Sequence, residues 1–201
     1  MATALIMLVW LLNLGISFWN AYASGLAWVE AKHQGGWPRV MAWSGAVMSA
    51  CGFSWCYLLI LACAAYGLEW ITYDHVQIAL SIGYILIIPA ILASGMTIML
   101  DSWARVYRVR MVRNIGSAAW NTYAQIHNTF GAVTTLDNAF GMVMSSFDSE
   151  DSDSKNSNSS LIVVFILVIL ALLSGYFTTA AIINRVAGND PLPDHDESKP
   201  S

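Results

Sequence analysis

LIVVFILVILALLSGYFTTAAIIN, Leu161 to Asn184, contains no Asp, Glu, Lys, Arg or His. A helix needs about 20 apolar residues to cross the ~30 Å hydrocarbon core of a bilayer. This run is long enough to do so. Working back along the chain, Ala2–Trp28, Val40–Leu68 and Val76–Leu100 are equally free of these five residue types. Uninterrupted apolar runs of this length mark membrane helices rather than buried soluble ones. Inside lipid every backbone N–H and C=O must be paired within the structure, which permits helices or closed barrels. The strict apolar–polar alternation of a barrel strand is missing, so helices are expected. The predicted fold is all-α, a polytopic integral membrane protein with four transmembrane helices.

Composition agrees. Of 201 residues, 57% are hydrophobic and only 11% charged, too few to cover the surface of a water-soluble globule. Nine Lys and Arg against thirteen Asp and Glu leave a net charge of −4, with no basic stripe for a nucleic acid. The 12% aromatic content argues against a disordered chain. Ala21-Tyr22-Ala23 before Ser24 has the small-x-small pattern of a signal-peptide cleavage site. No Lys or Arg precedes it, however, and the apolar run is too long. The first stretch is therefore read as a crossing.

The expected organisation has a three-helix membrane region over 1–113 and an amphipathic helical segment over 114–147. An acidic, Ser-rich flexible linker follows over 148–160, then the fourth crossing over 161–187 and a disordered acidic tail over 188–201. In the amphipathic segment Ile115, Ala119, Tyr123, Ile126, Phe130, Val133, Leu136, Phe140, Val143 and Phe147 recur at steps of three or four. Its other face holds Asn114, Ser117, Asn121, Gln125, Asn128, Thr135 and Asn138. Packing on protein and lying along the membrane surface both suit it. Gly131 marks a place where it is able to break into a hairpin. The linker, DSEDSDSKNSNSS, has nothing to bury.

Lys and Arg near helix ends set orientation. Lys32 and Arg39 fall in the first loop and Arg105, Arg108, Arg110 and Arg113 after the third run, whereas the second loop has Glu69, Asp74 and His75. Loops one and three are therefore expected in the cytoplasm and both termini outside, in a plasma or inner membrane. Arg185 dissents. The four arginines are candidates for contact with anionic lipid or an acidic partner.

Within the crossings, Asn13, Ser17, Asn20 and Ser24 form a polar stripe at helical spacing. An amide is costly in lipid, so this stripe is expected to face protein or to line a pore. Gly45, Ser49, Gly52 and Cys56 form a small-residue face that lets a neighbouring helix approach closely, and the polar stripe is its expected partner. Pro89 is expected to kink the third helix. The first half of Leu161–Asn184 reads as facing lipid all round. Trp28, Trp37, Trp70 and Trp103 fall at expected membrane borders, and Trp10, Trp19, Trp43 and Trp55 lie deeper, where they are expected to pack between helices.

Catalytic groupings are not apparent. None of the four histidines lies within an expected crossing, Asp and Glu are absent from those crossings, and Cys51, Cys56 and Cys63 lack zinc-site spacing. No metal or cofactor is expected, and the chain is read as a non-enzyme. The leading expectation is a membrane protein that acts by helix–helix association, with itself or another membrane protein, as a structural, accessory or self-assembling component. The alternative is an oligomeric pore or permeability factor of the phage lysis or exclusion type, lined by the stripe from Asn13 to Ser24.

Overall fold

The computed structural model describes residues 2–34, 36–148 and 157–188. They form five helices: α1 Ala2–Gln34, α2 Gly36–Gly67, α3 Tyr73–Arg108, α4 Val112–Asp148 and α5 Ser157–Gly188. Three of these, α2, α3 and the Ser160–Gly188 part of α5, are long and apolar enough to cross a membrane.

The breaks between helices have local causes. α2 starts at Gly36, whose φ of 53° is left-handed and suits a residue without a Cβ. α2 ends in a reversed turn. The Trp70 N–H donates to the Ala65 carbonyl at 2.9 Å, and Glu69 takes the left-handed conformation at φ 59°. α3 runs unbroken across Pro89. It stops where Val109 turns extended, and the Asn114 side chain donates to the Val109 carbonyl at 2.9 Å to hold the turn into α4. α4 continues through Gly131, so the possible hairpin does not form. Asp148 and residues 157–160, read as linker, are helical. Residues 149–156 and 189–201, the rest of the linker and all but Gly188 of the tail, lie outside the described residues.

α2 is the centre of the bundle and packs against α1, α3 and α5. α1 runs antiparallel to it, from Asn13 beside Gly52 to Ser24 beside Ala42. α5 also runs antiparallel to α2. Its start packs near the α2–α3 turn, where Leu167 meets Ala62, Ile71 and Val76, and Thr179 reaches Ser49 farther along. Val164 and Val168 join Leu58 and Ala79 in the main apolar cluster. The β-branched first half of α5 thus buries one face, which corrects the expectation of lipid all round. Its stiff side chains fit against α2 and α3 with little rotamer freedom to lose.

The direction of α5 is a second correction. On the sequence reading α5 leaves from the end where α3 arrives. Here α5 and α3 run in the same sense, both starting beside the α2–α3 turn. The chain therefore returns between them, and α4 makes the return. α4 lies antiparallel along α3, with Asn121 at Ser102, Gln125 at Leu92 and Met142 at Ser81. At 1.5 Å per residue, Asn121 to Met142 spans about 31 Å, the thickness of a hydrocarbon core.

Candidate functional site

α4 turns its apolar stripe away from the protein. Ile126, Phe130, Val133 and Phe140 are exposed, Phe130 and Val133 by 70% and 72%. Ala118, Gln125, Ala132 and Ala139 are buried against α3. A helix in water puts its large apolar residues inside. A helix in lipid gains close backbone approach from small residues and leaves the large ones outside. Gln125 shows how tight the contact is. Its side chain donates to the Leu92 carbonyl at 3.1 Å, its Oε1 has no partner among the described residues, and a Cβ on Gly95 would collide with it.

Farther along α4, Thr135, Asp137 and Asn138 are also exposed, on the length of helix that runs beside α3. No hydrogen bond or ion pair engages any of these three side chains among the described residues. His127, stacked on Tyr123 with ring centroids 6.1 Å apart, lies about 15 Å back along α4 from Asp137. The sequence reading placed His127 and Asp137 outside its four crossings, in the amphipathic segment over 114–147.

The polar stripe of α1 and the small-residue row of α2 lie together. Asn13 donates to the Gly52 carbonyl and the Cys56 sulfur, both at 3.3 Å. Ser17, fully buried, sits against Gly52 and donates to the Asn13 carbonyl at 2.7 Å. Ser24 donates to the Ala42 carbonyl at 2.5 Å, and Gly45 faces Ser24 and the Asn20 carbonyl. Ser49 departs from its row and turns to α5, where it pairs with Thr179 at 3.1 Å. Gly175 admits the α2 backbone closely enough that a Cβ would lie 2.6 Å from the Ala50 carbonyl.

A cleft opens between α1 and α4, floored by α2 and α3, while α5 packs against α1, α2 and α3 without lining it. Its larger chamber, about 1070 Å³, lies at the end that holds Glu30, Trp37, Asp101, Arg105 and Arg108. A second, about 640 Å³, lies deeper, among Asn13, Tyr84, His127 and Asn128. Asn20 and Asn121 face the first chamber, so amides from both rims line the cleft. At the mouth Asp101, only 8% exposed, accepts from Arg105 at 2.5 Å and from the Trp37 indole at 2.6 Å. These contacts tie the start of α2 to the end of α3. Arg108 lines the cavity, and Arg110 and Arg113 are exposed around the α3–α4 turn. α4 ends at Asp148, at the opposite end of the bundle from these arginines.

Of the deeper tryptophans, Trp10 donates to the Cys56 carbonyl at 3.3 Å, Trp55 packs on Tyr84 and Trp43 packs edge-on to Trp28 of α1, while Trp19 is exposed at the edge of the larger chamber. Among the described residues no three His, Cys, Asp or Glu side chains come close enough to hold a metal ion. The chain matches no protein-family model, and comparison with curated proteins and solved structures returns no significant match.

Proposed function

We propose that the protein is a non-catalytic integral membrane component that acts by association through the outward face of α4. All five helices then lie at bilayer depth. α1 is included because it packs along α2 and stays free of charge until Glu30. This places Lys32, Arg39, Arg105, Arg108, Arg110, Arg113 and Arg185 at one end, so Arg185 no longer dissents from the positive-inside rule. With five crossings the amino terminus is outside and the carboxyl terminus inside.

The observation that carries the reading is Thr135, Asp137 and Asn138, exposed beside Val133 and Phe140. A carboxyl group and an amide turned toward lipid are expensive, and residues of this kind inside a membrane find partners. The partner is a second copy, because Asn138 of one chain and Asp137 of the other form a self-complementary donor–acceptor set about a two-fold axis. Disulfide trapping of Asn138→Cys in native membranes, with the three natural cysteines replaced by Ala, should yield a dimer. Asp137→Leu should lower its yield several-fold. A chain that remains monomeric in that trap overturns the reading.

A pore is the second reading, favoured by the amides on both rims of the cleft. Ser17 is buried in the α1–α2 contact and lines neither chamber, whereas Asn13, Asn20 and Ser24 border the cleft. Ion leakage on expression that survives Asn13→Leu with Asn20→Leu rules out that lining.

A further inference from the structure

We infer that the mouth of the α1–α4 cleft is a binding site for one phospholipid whose headgroup carries both a phosphate and an ammonium. The inference rests on the immersion of the bundle proposed above and is independent of dimerisation.

The charges at the mouth are of both signs. Asp101 is neutralised by Arg105 and capped by the Trp37 indole. Arg108 on α3 and Glu30 on α1 face the same cavity, and neither has an ion-pair partner among the described residues. A purely anionic headgroup gains from Arg108 and is repelled by Glu30. A zwitterionic one satisfies both, its phosphate on the guanidinium and its ammonium on the carboxylate. The ammonium also meets indole faces, for Trp37 and Trp120 line the chamber and each is substantially exposed. A cation over an indole face is attracted by the ring quadrupole.

Below the mouth the wall becomes apolar, through Ile16 and Leu12 to Leu11. From Glu30 to Leu11 is about 28 Å along α1, long enough for an acyl chain to run down from a headgroup at the membrane border. Gly15 leaves this wall open, since a Cβ there meets nothing within 4 Å.

The test is native mass spectrometry of the full chain, delipidated in detergent and then offered equimolar phosphatidylethanolamine and phosphatidylglycerol in mixed micelles. The expected result is one phosphatidylethanolamine per chain, retained about fivefold over phosphatidylglycerol, the ratio given by one charge contact of ordinary surface strength. Glu30→Gln, at an exposed position, should bring the two lipids to parity while total retention holds. Gly15→Leu should lower retention of both. Equal retention by the unaltered protein, or a preference that both variants leave unchanged, overturns the site. Carbonate extraction of the membranes separates the two ideas. A chain that stays in the pellet yet holds lipids at the bulk ratio refutes the lipid site alone, and one that is released refutes the immersion.

Discussion

Gly52 and Ser17 decide how near α1 comes to α2. The Ser17 hydroxyl occupies the space a Cβ on Gly52 would need. In lipid, where burying apolar surface brings no extra gain, close van der Waals contact and interhelical hydrogen bonds hold helices together. Gly52→Ala should cost about 1–3 kcal/mol, the ordinary penalty of overpacking. Adding Ser17→Ala should recover at least half of it. Unfolding in mixed micelles by SDS titration reads both values, and full additivity would show that the two residues do not share this space. Glu69 is the reverse case. It is held at φ 59°, where a side chain crowds its own backbone, so Glu69→Gly should add about 1 kcal/mol in the same titration. The small-residue row and the polar stripe were legible as residue patterns. That Ser49 would turn from the row to Thr179 was not, because helical spacing alone does not say which of two neighbours a residue between them meets.

At the scale of the element, α4 carries the main disagreement between pattern and structure. Its periodicity is legible, and the amphipathic helix is there. Periodicity says that one side is apolar and leaves open whether that side faces protein or lipid. Residue size supports the lipid-facing reading proposed above. The buried face is Ala118, Ala132 and Ala139, with Gln125 bonded to the α3 backbone, and the exposed face carries Phe130 and Val133. Val133→Arg therefore discriminates between media. On a water-facing helix the change falls within about 0.5 kcal/mol of neutral. At the bilayer centre it should cost about 2.5–3.5 kcal/mol on insertion scales. A glycosylation-based insertion assay of α4 within the full chain measures the difference, and a value near zero would place α4 in water.

For the whole molecule the consequence is sidedness. α5 starts at the α2–α3 turn, so its end and the α3–α4 turn share one face of the bundle. With the natural cysteines replaced, Val109→Cys and Gly188→Cys should react with a membrane-impermeant maleimide from one side only. Tyr73→Cys and Ser160→Cys should react from the other. Labelling of the Gly188 and Tyr73 positions from the same side would reverse the direction of α5. The same arrangement gathers the basic residues of the described helices at one end and sets Asp148 and Ser157, the facing ends of α4 and α5, at the other.

Composition and the four runs without Asp, Glu, Lys, Arg or His determined that this chain is helical and suited to a membrane, because unpaired backbone groups in hydrocarbon cost too much for anything but helices or closed barrels and the alternation of barrel strands is missing. Local spacing determined where small residues and amides gather. Only the tertiary structure decided the direction of α5, the return of the chain through α4 and the cleft that α1 and α4 enclose. Those features depend on which helices touch, and the periodicity of a single helix carries no record of its neighbours.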